Sequence, residues 1–202
     1  MKKILGVLTI VVLLVSVCFY FFPKQPKNIF DEIYQETEKT YRLNNILRNI
    51  DGFKIRPDWP NDGEYFAYTP SGKYQTHPEG YKDISISFNF GEGIKGMTIR
   101  FERKTDSNIT LWYSAHYNIK KKVLKKELAI FEEPRKPGQF IDDEEKVREY
   151  LRKNNISKEE LEKDYDEIVN QKVLKGWCSI YDSKYSPSNY GEMKVETQWE
   201  NW

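Results

Sequence analysis

Apolar and polar residues alternate along residues 83–104. Every second residue of the first half is apolar, and after a glycine-rich turn at 91–93 the alternation resumes with Met97, Ile99 and Phe101. Because successive side chains of a strand point to opposite faces, this pattern predicts a β-hairpin with one apolar and one polar face. The apolar face needs a covering layer, whereas the polar face is a natural place for a partner to dock.

Further alternation predicts a sheet around this hairpin. Residues 108–119 and 123–131 are predicted to be the next two strands, so that four antiparallel strands in sequence form a meander. Residues 52–57 and 64–69 are shorter strand candidates in a region rich in proline. Two more strands are predicted near the C-terminus, at residues 173–181 and 193–199.

Helical spacing of apolar residues predicts three helices. Asn28 is a suitable N-cap for the first, which continues to about residue 43. Ser157 with Glu160, and a similar signal at 142–145, predict two further helices that form a helical hairpin. The predicted fold class is therefore α+β: an antiparallel β-sheet meander with helices packed on one face, preceded by a single N-terminal transmembrane helix.

The predicted transmembrane helix is an apolar run at residues 4–22, which is 19 residues long and carries no charge. As a helix it spans about 28 Å at ~1.5 Å per residue, close to the thickness of a bilayer's hydrocarbon core. A cleaved signal peptide or a lipoprotein processed near residues 16–18 is the alternative, although the apolar run continues beyond that point. We therefore expect an uncleaved signal anchor at 1–22 and an extracytoplasmic α+β domain at 23–202.

The charges that flank this run do not decide its orientation. Lys2 and Lys3 on one side are matched by Lys24 and Lys27 on the other. The short basic head is nevertheless typical of a signal anchor. We expect a single-pass protein of the cell membrane whose domain faces the extracellular side.

Charge and candidate chemistry argue against several classes of function. Outside the predicted anchor the chain has 30 basic and 31 acidic residues, so we expect no strong positive field that would attract nucleic acid. Cys18 and Cys178 cannot plausibly meet, and Cys178 is expected to be a buried structural thiol. His77 and His116 lack metal-ligand spacing, and the chain has no nucleophile elbow or phosphate-binding glycine loop. We predict no enzyme activity, cofactor or metal site.

The polar face of the sheet is the candidate binding surface. Trp112 is its candidate anchor, because a few large side chains dominate binding energy; packing under a helix or loop is the alternative. Glu192, Glu196 and Glu200 alternate along the last predicted strand, which predicts an acidic stripe or else a solvated edge protected by its charges. The candidate partner-binding residues are Trp112, His116, Asn89, Arg100, Glu192, Glu196 and Glu200.

Extended stretches of the chain resemble a known family. They are the apolar N-terminus followed by QPKNIFDEIY at 25–34, then GYKDISISFNF at 80–90, VLKGWCSIY at 173–181 and VETQWENW at 195–202. Together they resemble the TipC family of streptococcal immunity proteins over nearly the whole chain. The resemblance rests on extended sequence and names no active site.

This resemblance implies a membrane-anchored protein that faces outward and has no catalytic residues. Such a protein binds and neutralises an LXG toxin exported by a type VII secretion system, of the kind that attacks the cell-wall precursor lipid II outside the membrane. The resemblance also implies that the interface is a concave, acidic face of the sheet.

The residues themselves leave a second function open. An anchored extracytoplasmic protein could instead bind a peptide, a small molecule or a wall fragment. A deep aromatic pocket would favour that alternative, whereas a broad open face would favour a protein partner.

Overall fold

The computed structural model describes residues 25–39, 53–55, 65–70, 81–89, 95–105, 108–132 and 140–200. The predicted anchor at 1–22 lies outside these residues, as do Phe90, His77 and the turn at 91–93. Within the described part of the chain, no helix is long and apolar enough to cross a membrane.

The described strands form one seven-stranded sheet, in which spatial order follows sequence order. The strands are β1 (Phe53–Ile55), β2 (Tyr65–Pro70), β3 (Tyr81–Asn89), β4 (Gly96–Lys104), β5 (Ile109–Asn118), β6 (Val123–Glu132) and β7 (Lys194–Thr197). Strands β1 to β6 pair antiparallel with their neighbours, which confirms the predicted meander and both shorter strand candidates. The last strand differs from the prediction, because β7 runs parallel to β6.

The two faces of the sheet are those that the alternation predicted. Ile86, Ile99 and Ala115 are neighbours across β3, β4 and β5, and all three are buried. We call this apolar side the inner face and the opposite side, which carries Arg100 and Trp112, the outer face. The outer face is less open than predicted, since small polar residues lie buried between larger neighbours; they are Ser87, Thr98 and Thr110.

The described helices are α1 (Ile29–Lys39), α2 (Glu144–Lys153), α3 (Lys158–Tyr165), a π-helical segment (Asp166–Leu174) and α4 (Lys175–Ile180). Side chains cap α1, α2 and α3, whereas the π-helical segment and α4 continue from the preceding helix without a side-chain cap. Asn28 Oδ1 accepts a hydrogen bond from the Asp31 amide at 2.8 Å, which confirms the predicted cap of α1. Ser157 caps α3 as predicted, whereas α2 is capped by Asp143, one residue after the predicted start.

The predicted strand at residues 173–181 is wrong. The π-helical segment and α4 cover most of this range, and Val173, Leu174 and Trp177 are buried there. A short apolar run fits a strand or a buried helix equally well, so periodicity alone does not separate the two. Burial on the inner face decides for the helix, since Trp177 Nε1 donates to Glu32 Oε1 at 2.7 Å.

The helices cover the inner face, as predicted for the fold class, and a buried polar cluster joins them to the sheet. Asp164 of α3 is only 2% exposed. Its carboxylate accepts hydrogen bonds from Tyr81 at 2.7 Å and Tyr113 at 2.5 Å, and it pairs with Arg103 at 2.7 Å. These contacts join α3 to the neighbouring strands β3, β4 and β5, so the inner face of the sheet is fixed to the helical layer.

Candidate functional site

A groove of about 530 Å³ lies on the outer face over β6. It forms because the edge of β6 has two separate neighbours: β7 pairs with residues 123–126, and Ile141 bridges to Ile130. Between them the edge lacks a strand partner in the described structure, and the side chain of Gln198 accepts a hydrogen bond from the Leu128 amide at 2.7 Å. The gap between the two neighbours is the groove.

One end of the groove carries a cluster of three aromatic rings, which we call the aromatic cluster. Trp112 lies 5.6 Å from Phe131 and 6.2 Å from Phe140 between ring centroids, and the two phenylalanines are 5.9 Å apart. Phe140 is 45% exposed, whereas Trp112 is half-buried. The Arg100 guanidinium lies 5.9 Å from the centre of the Trp112 ring, a cation–π contact that holds the indole in place. Trp112, the predicted anchor for a binding partner, therefore lies on the outer face, and Phe140 beside it is also exposed.

Acidic side chains outnumber basic ones around this cluster. Four carboxylates line the groove, from Glu127, Asp142, Glu144 and Glu196. Arg100, Lys125 and Lys126 also line it, but the Lys126 ammonium binds Glu162 at 2.9 Å and lies over the Tyr165 ring on the inner face. Glu196 is paired as well, with Lys194 at 2.8 Å and Lys125 at 4.0 Å. The lining therefore has an excess of one acidic charge, which favours a basic partner.

The predicted acidic stripe is not formed on one strand. Only Glu196 lies in β7, where its carboxylate pairs with Lys194 at 2.8 Å. This hydrogen bond and the neighbouring lysines hold the pKa of Glu196 below its usual value. Glu192 precedes β7 and pairs with Lys27 at 3.1 Å, while Glu200 follows β7 in a turn. The last strand is too short to align the three carboxylates.

The remaining predicted residues lie at different distances from the groove. His116 faces Lys125 across β5 and β6 and lies beside the groove, with its Nδ1 2.8 Å from Thr98 Oγ1. Burial lowers the pKa of His116, so its ring is neutral at physiological pH. Asn89 is exposed at the end of β3, opposite Gly96, far along the strands from Trp112. The structure therefore brings Arg100, Trp112 and Glu196 together and leaves Asn89 apart.

Several residues of the groove were not predicted from the sequence. Glu127 shares a face with Phe131 by alternation along β6, so the strand pattern contained that signal. Phe140, Asp142 and Glu144 reach the groove only because Ile141 returns to the edge of β6. No local pattern in the sequence reports such a long-range bridge.

The described residues show no arrangement that would bind a metal ion through three or more His, Cys, Asp or Glu side chains. Cys178 is half-buried, and its thiol donates to the Tyr185 carbonyl at 3.6 Å. Burial raises the pKa of Cys178, so the neutral thiol is its form at physiological pH. Cys178 is therefore less buried than predicted.

Comparisons with known proteins show the family of this chain and a similar solved structure. A family model described as TipC immunity protein-like matches residues 1–198. The structure of TipC2 from Streptococcus intermedius B196 is similar, with 40% sequence identity and a TM-score of 0.76. The similarity covers 89% of this chain and 100% of that one. No curated protein matches the chain.

Proposed function

The chain belongs to the TipC immunity protein-like family, and from this premise we propose that it is a membrane-anchored extracytoplasmic immunity protein. It binds and neutralises a cognate antibacterial toxin that a type VII system secretes. The toxin attacks lipid II or a related cell-wall precursor outside the membrane. The outer-face groove with its aromatic cluster is the binding site for the toxin.

The observation that carries the site assignment is the partly exposed aromatic cluster at the end of an acidic groove. Interfaces gain most of their binding energy from a few aromatic or arginine side chains, surrounded by polar residues that exclude water. Trp112 is backed by Phe131 and by Arg100, so it loses little side-chain freedom when a partner binds. Phe140 adds an apolar surface that is already exposed.

The charge of the groove supports a protein partner with a basic surface. Complementary charge speeds the encounter of two proteins and orients them, while the aromatic anchors slow dissociation. Glu127 and Asp142 flank the aromatic cluster on the lining of the groove, where basic toxin side chains would meet them.

The composition of the lining also bears on the alternative of a small-molecule or wall-fragment ligand. Seven of the fourteen lining residues are charged. Small-molecule pockets are instead lined mainly by apolar and aromatic side chains with few polar groups. A protein partner is therefore the function that we propose.

The test of the site is calorimetric titration of residues 23–202 with the toxin domain encoded beside this gene. Phe140→Ala is expected to weaken binding about 30-fold, which corresponds to the ~2 kcal/mol of a hot-spot residue. Because Phe140 is half exposed, the melting temperature should stay close to that of the parent. Trp112→Ala should weaken binding at least as much, with some loss of stability because Phe131 loses its neighbour.

Val195→Ala is the matched control. Val195 is the other large exposed apolar residue of the described chain, at 38%, and it is paired with Leu124 on the inner-face side of β7. Its truncation should leave toxin binding unchanged. Parent-like affinity of Phe140→Ala, Trp112→Ala and Glu127→Lys together would refute the site.

A separate measurement tests the function itself. Expression of the full chain should protect sensitive cells from the toxin, and protease treatment of intact cells should digest the domain from outside. Failure to bind any neighbouring toxin and failure to protect would together contradict the immunity function. Protection with unchanged binding by the groove variants would contradict the site alone.

A further inference from the structure

We propose that the end of the domain around the β5–β6 turn docks on an anionic lipid surface. This surface is distinct from the toxin-binding groove, but the inference rests on the proposed membrane anchor. Three independent features of the described structure meet there: a concentration of lysines, few compensating carboxylates, and the point at which the chain leaves the domain toward residues 4–22.

The lysines come from four separate parts of the chain. Residues 119–122 form the turn between β5 and β6, and the Ile119 amide donates to the Lys95 carbonyl at 3.2 Å. A cavity of about 1160 Å³ beside this turn is lined by further lysines and by Tyr185. We call the set the lysine end: Lys27, Lys95, Lys120, Lys121, Lys122 and Lys184.

Among the described residues that line this cavity, two are carboxylates, and each has a lysine partner. Asp31 is buried and pairs with Lys122 at 2.5 Å, while Glu192 pairs with Lys27 at 3.1 Å. Lys120 and Lys121 are exposed and make no ion pair with any described residue, although Lys121 lies near enough to Glu196 to help lower the pKa of that carboxyl. The lysine end is thus locally cationic in a chain whose formal net charge is only +1. Its sign is opposite to that of the groove.

The chain is fixed to the domain next to these lysines. The Pro26 carbonyl accepts a hydrogen bond from Tyr185 Oη at 2.7 Å. The Lys27 amide donates to Asp31 at 3.1 Å, and its carbonyl accepts from the Glu192 amide at 2.9 Å. The segment that precedes α1 is therefore held on the domain from Pro26 onward.

This attachment places the lysine end at the membrane surface. Two residues lie between Phe22, the last of the apolar run, and Gln25. The three steps from Phe22 to Gln25 therefore span at most about 11 Å at ~3.3–3.6 Å per residue. Anionic headgroups within this distance supply counter-charges for Lys120, Lys121 and Lys184, and each lysine near such a surface changes the docking equilibrium about five-fold.

Docking would also set the position of the groove. Trp112 lies six residues along β5 from Asn118, about 20 Å at ~3.3 Å per residue. With the turn on the headgroups and β5 perpendicular to the membrane, the aromatic cluster is about 20 Å above them, and the outer face points along the membrane. A toxin approaching from the side would meet the groove without displacing lipid.

Lysine acetylation of the full chain in nanodiscs tests this surface. The discs contain phosphatidylcholine alone or an equal mixture with phosphatidylglycerol, neither of which has a primary amine to consume the reagent. Labelling rates are read at each lysine by mass spectrometry. Lys120, Lys121 and Lys184 should react at least three-fold more slowly in the anionic discs. About 1 M NaCl, where the Debye length is about 3 Å, should restore their rates.

Two references make the measurement specific. Lys146 and Lys153 are exposed on α2, beside the opposite end of β6, and should react equally in both lipids. Lys120→Gln/Lys121→Gln should lower the docking equilibrium about 30-fold and abolish the protection of Lys184. The matched variant Lys146→Gln/Lys153→Gln should keep that protection.

Each outcome separates this surface from the toxin site. Equal labelling of the lysine end in both lipids, with the chain incorporated in the discs, overturns the surface and leaves the anchor standing. Failure of the chain to enter discs overturns the anchor and the surface together. The detergent-solubilised Lys120→Gln/Lys121→Gln chain should bind the toxin with the affinity of the parent. The labelling result and the toxin-binding result can therefore fail independently of each other.

Discussion

Replacing Arg103 by methionine should destabilise the domain through the carboxylate that it leaves behind. Arg103 donates to Asp164 at 2.7 Å and to Glu160 at 2.6 Å. Asp164 is buried, and its other hydrogen-bond partners among the described residues are the hydroxyls of Tyr81 and Tyr113. Methionine has a similar length and fills much of the same space, but it provides neither a charge nor a donor. The Glu160 carboxylate can turn to water, whereas Asp164 cannot.

The magnitude follows from the unequal burial of the two partners. Removing one member of a buried ion pair costs about 3–5 kcal/mol, because the remaining charge stays desolvated. The Arg103 side chain is 24% exposed, so water can replace part of its contact and the cost falls near the lower bound. We expect Arg103→Met to lower the free energy of unfolding by about 3 kcal/mol. For a domain of this size, ~2–4 °C per kcal/mol gives a decrease in melting temperature of about 6–12 °C.

Thermal unfolding of residues 23–202, followed by circular dichroism and repeated in urea, measures this effect. Arg152→Met is the matched control, because Arg152 is exposed in the last turn of α2 and should cost less than about 1 kcal/mol. In a double-mutant cycle, Asp164→Asn should lower the free energy of unfolding less in the Arg103→Met background than in the parent. The reason is that asparagine removes the buried carboxylate charge that Arg103→Met leaves unpaired. A melting temperature of Arg103→Met within about 2 °C of the control would refute the reasoning.

Two further predictions concern the sheet and the buried tyrosines. Gly96→Ala should lower the free energy of unfolding by about 1–3 kcal/mol, because the new Cβ would lie 2.3 Å from the Tyr117 carbonyl oxygen and force β4 away from β5. A melting temperature equal to that of the parent would contradict this close approach. Burial raises the pKa of Tyr113 and Tyr165 well above 10, and raises that of Tyr190 to about 12. Below pH 10 these phenols are protonated in the folded and unfolded states alike, so their contribution is constant. As the pH rises above about 10 the unfolded chain loses these protons first, and stability should fall by ~1.4 kcal/mol per pH unit for each such tyrosine. Urea midpoints at pH 9, 10 and 11 measure the fall, and a midpoint that does not change over this range would count against the buried positions.

Much of the fold was predictable because its signals are local. The alternation of residues 83–104 reports which side chains share a face, since the pleat has a fixed period of two. Asn28 and Ser157 report helix starts, because a side-chain oxygen can satisfy an amide three residues on without help from the rest of the chain. Both kinds of signal remained correct in the folded protein.

The helix at residues 173–180 and the parallel strand β7 were not predictable in this way. The run around Trp177 is compatible with two secondary structures, and only its packing against α1 and the core selects one. The direction of β7 depends on the preceding helices, which return the chain to the edge of β6 from the end at which Val123 starts. Neither piece of information is contained in a short window of sequence.

The candidate site divides in the same way. Alternation along β4 and β5 placed Arg100 and Trp112 together on one polar face, and the resemblance of extended stretches identified the family. The groove itself, with Phe140 beside Trp112 and Glu196 beside Lys194, exists only where β7 and Ile141 meet β6 from distant parts of the chain. Local periodicity determines which way a side chain points, but the contacts that make a binding surface are made between residues far apart in sequence, and only tertiary packing brings those residues together.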